Sequence, residues 1–220
     1  MAKRNRRLDA VAILGLGRFG TSLALELMKE EVEVLAVDSD QRIVESLAGR
    51  LTRVVSADMT SEDALRQLSV HEFNRVVIAV GTNLEASILT ATVCLGFQTA
   101  EIWAKAISEA HAKILNQLGV HHIVRPEHDM GKRVAHLVAG RMMDYMEFDD
   151  GYAMVKTTPP SVILGQSLGH SEVQKRFGVT IVAIKRPGED FTHATPQTVI
   201  NRGDVIIASG KTNQVERFSD

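Results

Sequence analysis

The segment from Ala10 to Gly20, AVAILGLGRFG, constrains the fold more than any other part of the chain. It places Gly15, Gly17 and Gly20 in the spacing G-x-G-x-x-G, directly after a short apolar run that is typical of a buried strand. In such a loop the first glycine permits the tight turn, the second admits a pyrophosphate, and the third lets the next helix pack closely on the sheet. That helix offers free N–H groups and the positive end of its dipole. The segment therefore predicts a phosphate-binding loop between a strand and a helix.

A second apolar run, Val32–Asp38, ends in an acidic residue at about the distance expected for a dinucleotide-binding unit. Asp38 is predicted to bind a ribose 2′-hydroxyl. The alternative is that Asp38 caps the next helix, a role that Ser39 or Asp40 can fill instead. A carboxylate at this place also repels a 2′-phosphate, which disfavours NADP.

Beyond Asp38 the chain alternates short apolar runs with segments of helical periodicity. The predicted strands are Thr52–Ser56, Arg75–Val80, Glu101–Ala104 and His121–Val124. The predicted helices, several of which end at a glycine, are Phe19–Glu30, Gln41–Gly49, Ser61–Leu68, Leu84–Gly96 and Glu109–Gly119. Each connection is long enough for a crossover helix between parallel strands. The pattern predicts an α/β fold, a Rossmann-like doubly wound parallel sheet of about six strands.

Polar residues follow several of these strands, where such sheets bind their ligands. Asp58 can contact an adenine or ribose edge, or cap the helix near Ser61. Gly81 can admit a ligand, or only make a turn. Lys105 can neutralise a phosphate, or be an ordinary solvated lysine.

Two further charged residues also have two interpretations. Arg18 lies between the second and third glycines, where the helix dipole disfavours a cation by roughly 0.3–1 kcal/mol, so it either faces an anion or extends into solvent.

Glu127 follows Pro126 in RPEHDMG, and a proline with acids in the first turn is what a helix start prefers. The helix predicted from Glu127 to Met146 is apolar on two sides. It packs either against its sheet and a second surface, a neighbouring subunit or the next domain, or along one broad stripe.

The pattern of predicted strands and helices changes after Phe148. Short strands at Tyr152–Thr158, Thr180–Lys185 and Val205–Ala208 surround a helical piece near Ser171–Phe177. We therefore predict a basic N-terminal tail over 1–9, a nucleotide-binding domain over 10–147, and a small α+β domain over 148–220. The tail is interpreted as solvated, with a contact to lipid headgroups or a partner as the alternative.

Composition excludes several classes of protein. A net charge of −2 gives no argument for nucleic acid as a partner. No apolar stretch approaches the ~18 residues of a membrane span, and the N-terminus lacks the apolar region of a secretory signal, so a soluble chain is expected. The single cysteine, Cys94, lies in an apolar pattern typical of a buried side chain, which fits a reducing cytoplasm.

No catalytic group stands out in the sequence. A hydride-transfer enzyme needs an acid or base aimed at the nicotinamide and a substrate pocket. His170 and His193 lack a nearby acid, while His121 and His122 are adjacent on a strand and point to opposite faces. The histidines show no metal-ligand geometry. A nucleotide-binding sheet without such chemistry indicates a sensor rather than an enzyme.

Taken together, several motifs resemble a known family. They are GLGRFG, AVD, AVGTN, IWAKA and RPEHDMG, followed by ILGQSLGHSEVQKRFGVTIVAIKRPGE and RGDVIIASG. These resemble the regulatory subunits of bacterial Ktr and Trk potassium uptake systems, which carry the RCK fold, and the Ktr branch is the more similar. The resemblance covers nearly the whole chain as an RCK N-lobe and C-lobe.

The resemblance implies a gating subunit that is not an enzyme. Such proteins bind ATP, ADP, NADH or NAD⁺ at the glycine loop. They form dimers that build a cytosolic ring, typically an octamer, beneath a K⁺-translocating membrane subunit. The expected place is therefore the cytoplasmic face of the membrane, reached through that partner. Alternatives are a sensing subunit of another cation transporter or antiporter, and a small NAD-dependent oxidoreductase.

The resemblance also assigns roles to particular residues. Arg18 and Lys105 match residues near the phosphates, Asp38 the ribose acid, and Glu127 an acid near a cation such as Mg²⁺ at a dimer interface. The predicted nucleotide site consists of Gly15, Leu16, Gly17, Arg18, Phe19, Gly20, Asp38, Ser39, Asp58, Met59, Gly81 and Lys105. In the C-lobe, Val179, Ile181 and Arg186 lie in a stretch similar to one with which several relatives bind cyclic di-AMP.

Overall fold

A computed structural model describes residues 10–81, 83–97, 101–139 and 142–219, with only the backbone of Asp149, and the predicted tail over 1–9 lies outside them. The chain divides between Glu127 and His128 into a first and a second unit, each with its own sheet and core. In the described part of the chain, no helix is long and apolar enough to cross a bilayer.

Six parallel strands form the sheet of the first unit, in the order β3-β2-β1-β4-β5-β6. The strands are β1 (Val11–Leu14), β2 (Val34–Asp38), β3 (Arg53–Ser56), β4 (Arg75–Ile78), β5 (Glu101–Lys105) and β6 (His122–Val124). The helices are α1 (Arg18–Lys29), α2 (Gln41–Leu47), α3 (Glu62–Gln67), α4 (Leu84–Gly96) and α5 (Glu109–Leu118). The strand order reverses direction between β1 and β4, which confirms the doubly wound fold. Ligands of such sheets bind at this switch point.

Both faces of the parallel sheet are covered. Alternate strand residues contribute to two separate apolar clusters, with Leu14 and Ile78 in one and Ile13 and Val77 in the other. Because helices cover both faces, the central strands are continuously apolar, as the sequence predicts.

Side chains cap four of the helices in the first unit. Asp40, Ser61, Asn83 and Ser108 each accept a hydrogen bond from a backbone N–H in the first turn of α2, α3, α4 and α5. Helix α1 begins after Gly17, which has no side chain to cap it, and its first turn holds no acidic residue. The N-terminal N–H groups of α1 therefore face the edge of the sheet without a side-chain cap.

Helix α6 (Pro126–Val138) begins at the end of the first unit and continues into the second. The second unit has a five-stranded sheet in the order β10-β9-β11-β8-β7, with antiparallel pairing throughout. Its strands are β7 (Asp144–Phe148), β8 (Tyr152–Thr157), β9 (Val179–Lys185), β10 (Thr192–His193) and β11 (Val205–Lys211). Its short helices are α7 (Leu168–Ser171), α8 (Val173–Phe177) and α9 (Thr212–Phe218). One apolar cluster, which includes Val155, Ile206 and Phe218, forms its core.

The structure corrects the helix predicted to extend to Met146. Helix α6 ends at Val138, and Asp144–Phe148 instead forms β7, paired antiparallel with β8. Along β7 the buried Tyr145 is followed by the exposed Met146, as the alternation of a strand requires. Because β7 belongs to the second sheet, the units divide earlier than the boundary predicted at residue 148.

Candidate functional site

Packing requires two of the three loop glycines. Gly15 has a φ of +103°, and a Cβ there would lie 2.9 Å from the carbonyl carbon of Ala79. A Cβ on Gly20 would clash with the carbonyl oxygen of Gly15. These two glycines allow the loop to turn and α1 to approach the sheet, so the fold alone explains them.

Gly17 differs from the other two loop glycines, Gly15 and Gly20. Its φ is −62°, which any residue can adopt, and a Cβ added to it would meet nothing within 4 Å. Nothing in the described chain therefore requires a glycine here. A side chain would extend into the space in front of the α1 N-terminus, where an anion is favoured by the free N–H groups and the dipole. The loop thus fits a phosphate that approaches from outside.

Asp38 joins the end of β2 to the glycine loop. Its Oδ2 accepts a hydrogen bond of 2.6 Å from the Leu16 N–H, and its Oδ1 accepts one of 2.9 Å from the Asp40 N–H. Asp40 itself caps α2, so capping does not explain Asp38. The carboxylate is nearly buried at this edge and retains lone pairs for a hydroxyl. Ser39 is exposed beside it.

The residues after β3 are held by local bonds. Asp58 Oδ1 accepts hydrogen bonds from the Thr60 hydroxyl, at 2.7 Å, and from the Thr60 N–H, at 2.9 Å, and these bonds hold the pKa of Asp58 below its usual value. Ser61 caps α3, so Asp58 is not its cap. The side chain of Met59 packs into the core. Asp58 can still accept a bond from a ligand, whereas Met59 offers mainly its backbone.

Lys105 lies at the end of β5 in a nearly buried position. Its Nζ is 2.6 Å from Glu127 Oε1 and 5.8 Å from the centroid of the Phe19 ring. A Cβ on Gly81 would lie only 3.3 Å from this Nζ, so the glycine makes room for the ammonium. The structure thus brings Phe19, Gly81, Lys105 and Glu127 together at the edge of the sheet that carries the glycine loop.

Glu127 is the carboxylate of this group. The hydrogen bond from Lys105 lowers its pKa most, its backbone N–H also contributes, and attraction by Lys105 and the exposed Arg18 adds to the effect. The residue predicted as a metal ligand therefore binds Lys105. Among the described residues, no group of three His, Cys, Asp or Glu side chains could hold a metal ion. A cation here would need oxygens from another molecule, and we assign no step to one.

The described groups at this edge are suited to anions and hydroxyls but are poor acids and bases. The pKa values of Asp58 and Glu127 are both lowered by hydrogen bonds, from Thr60 and Lys105 respectively, which makes these carboxylates weak proton acceptors. Burial raises the pKa of the Cys94 thiol to about 12, so this thiol is not a nucleophile at neutral pH.

The C-lobe residues predicted from the resemblance lie only partly together. Val179 and Ile181 line an open groove of about 420 Å³, together with residues of α7, α8 and the segment after β10. Arg186 is not among its lining residues.

The pairing of Lys105 with Glu127 could not be seen in the sequence. The two residues are 22 positions apart, and each has an adequate local explanation. The available signal was topological, because Lys105 ends β5 and Glu127 follows β6, the adjacent parallel strand. The aromatic contact of Phe19 with Lys105 was missed for the same reason.

Comparison with known proteins agrees with this architecture. The family model of the TrkA-N domain matches residues 11–126, and that of the TrkA-C domain matches residues 152–220. The chain belongs to the TrkA-N and TrkA-C family. It is 36% identical to Ktr system potassium uptake protein C of Bacillus subtilis (strain 168), over 94% of both chains. It is 32% identical to Ktr system potassium uptake protein A of the same organism, over 95% of both chains. The predicted resemblance to the Ktr regulatory subunits is confirmed.

Solved structures give the same fold. The GsuK RCK domain matches with a TM-score of 0.65 and 16% identity, covering 99% of this chain and 48% of that one. The GsuK channel bound to NAD matches with a TM-score of 0.53 and 21% identity, covering 96% of this chain and 38% of that one. At these identities the likeness shows the RCK fold alone.

Proposed function

We propose that this protein is a nucleotide-sensing regulatory subunit of a Ktr-type potassium uptake system, and not an enzyme. One observation carries the proposal: packing explains Gly15 and Gly20, whereas Gly17 leaves open space in front of the α1 N-terminus, which no side chain caps. The similarity to two Ktr system potassium uptake proteins over nearly the whole chain supports the same role.

The ligand that fits this edge is an adenine nucleotide. The α1 N-terminus, Arg18 and Lys105 would contact phosphates, Asp38 a ribose hydroxyl, and Asp58 the adenine side. ATP and ADP are the proposed ligands, with NAD⁺ or NADH as the alternative that the NAD-bound channel structure supports. Mg²⁺ enters the proposal only as a companion of the phosphates.

Regulation follows if two nucleotides favour different conformations. A ligand shifts such an equilibrium only by its difference in affinity for the two states. Arg18 is exposed at the start of α1, where it can contact a terminal phosphate or a neighbouring copy. Arg18→Ala is therefore expected to reduce the discrimination between ATP and ADP more than binding itself. Equal responses of the wild type to both nucleotides would contradict this mechanism.

The proposed partners are further copies of the chain and a K⁺-translocating membrane subunit. Helix α6 exposes Met130, Val134 and Val138, spaced four residues apart and therefore on one face. An exposed apolar stripe of this kind is typical of a protein interface. We propose a dimer that builds an octameric ring at the cytoplasmic face of the membrane, attached through the membrane subunit.

The test compares Gly17→Ala with Gly96→Ala. A Cβ at either position meets nothing within 4 Å, so both variants should fold like the wild type. Thermal stabilisation by ATP, ADP, NADH, NAD⁺ and cyclic di-AMP is measured, and a ligand at 100 times Kd should stabilise the wild type by about 2.7 kcal/mol. Gly17→Ala should weaken nucleotide binding about tenfold or more, whereas Gly96→Ala should not. A wild type that no nucleotide stabilises, or a Gly17→Ala variant that binds normally, would contradict the proposal.

A further inference from the structure

The ion pair between Lys105 and Glu127 joins a nearly buried cation to an exposed anion. The side chain of Lys105 is 10% exposed and that of Glu127 is 64% exposed, with 2.6 Å between Nζ and Oε1. A buried ammonium needs a counter-charge, because an unpaired charge is costly to bury. An exposed carboxylate has no such need, since water solvates it. Glu127 therefore supplies the counter-charge that Lys105 needs. Its carboxylate can move away from the ammonium if another anion takes its place.

The Lys105 ammonium is nearly buried, whereas the Glu127 carboxylate is exposed. Lys105 Nζ lies 5.8 Å from the centroid of the Phe19 ring in the first turn of α1, and Gly81, after β4, leaves room for it. Glu127 reaches it from the first turn of α6, and Arg18 is near enough to contribute to the low pKa of Glu127. Glu127 thus pairs with Lys105 and lies within electrostatic range of Arg18, and the proposed function assigns both cations to the phosphates.

We propose that the Glu127 carboxylate is the counter-ion of the Lys105 ammonium in the ligand-free protein, and that a phosphate of the bound nucleotide displaces this carboxylate. The inference rests on the proposed function and adds a residue that sets the affinity of the site. Two anions at one ammonium repel each other. The phosphate gains the N–H donors of α1, while Glu127 regains its hydration. Displacement of Glu127 therefore opposes binding of the nucleotide.

The experiment measures ADP binding to Glu127→Gln by calorimetry, at low ionic strength and with EDTA to remove divalent cations. Glutamine keeps the size of the side chain but cannot neutralise Lys105, so ADP should bind about two- to tenfold tighter than to the wild type. Glu127→Ala should also bind tighter, which shows that the gain does not come from the new amide.

The matched control is Asp129→Asn. It removes the same charge from the same turn of α6, but Asp129 lies 3.2 Å from His128 Nδ1 and not on Lys105. Its ADP affinity should equal that of the wild type. An unchanged or weaker affinity in both Glu127 variants would overturn the inference while leaving the proposed function intact, and so would an equal gain in Asp129→Asn. A wild type that binds neither ADP nor any other adenine nucleotide would overturn both.

Discussion

The surfaces left exposed around the two sheets of this protein differ in polarity. Helices cover both faces of the parallel sheet, and what remains is a polar edge with an uncapped helix N-terminus and the nearly buried Lys105. The antiparallel sheet has one apolar core cluster, and its neighbouring strands β7 and β8 expose Met146, Phe148 and Tyr152. A polar edge suits a small anionic ligand, whereas an apolar surface suits another protein. If the proposed function is correct, ligand binding belongs to the first unit, and the apolar surface of the second unit is free for assembly.

Core truncations test whether the two units are independent, and they should have the largest effects. Leu115 and Ile206 are fully buried, one in each unit. Leu115→Ala and Ile206→Ala should each destabilise their own unit by about 2–5 kcal/mol, because each leaves a cavity. Calorimetry should show each variant lowering a different unfolding transition. A single transition that both variants lower equally would show that the units unfold as one.

Gly20→Ala tests the difference between the glycines that the fold requires and the one that it does not. The new methyl group would clash with the Gly15 carbonyl oxygen, which is backbone and cannot rotate away. We expect a loss of about 3 kcal/mol in the first unit, measured by urea unfolding. Gly17→Ala should lose no more than about 1 kcal/mol, the cost of alanine at the N-cap of α1. Equal losses in both variants would remove the argument that Gly17 is reserved for a ligand.

Val138→Lys tests the exposed apolar stripe of α6, formed by Met130, Val134 and Val138, which we propose as an interface. Val138 is 80% exposed on α6, so a lysine should not change the stability of the subunit. A charge placed in an apolar interface should weaken self-association about tenfold or more, which light scattering over a dilution series can measure. Val162→Lys is the control, because Val162 is exposed in the turn Ser161–Ile163. A loss of association in the control alone would place the interface elsewhere.

The smallest expected effect concerns His111, a buried residue of the first unit. Burial lowers the pKa of its imidazole, so the folded protein binds this proton less readily than the unfolded chain. Its contribution to stability is complete above the unfolded pKa of about 6.5 and decreases as the pH falls below that value.

The matched variant for this effect is His111→Asn. His111 Nδ1 accepts a bond from the Ile107 N–H, which the asparagine oxygen can replace without titrating. Urea unfolding at pH 7.5 and 5.5 should show a smaller loss in the variant than in the wild type. Equal losses would show that His111 does not contribute to acid sensitivity.

Much of the first unit could be predicted because its signals are local. Glycine spacing, alternating apolar runs and strand ends located the six strands, five helices and the edge with its ligand candidates. In the second unit β7 was predicted as helix, because Met142, Tyr145 and Met146 have helical spacing. Pairing with β8, a contact between distant parts of the chain, decided that segment.

The sequence alone determined the doubly wound topology, the glycine loop and the acid at the end of β2, because each depends on residues close together in the chain. Only the tertiary structure decided that Gly17 faces open space while Gly20 does not, and that Glu127 pairs with Lys105. These facts depend on which elements the fold brings together. The spacing of residues along the chain does not give the distances between such elements in space.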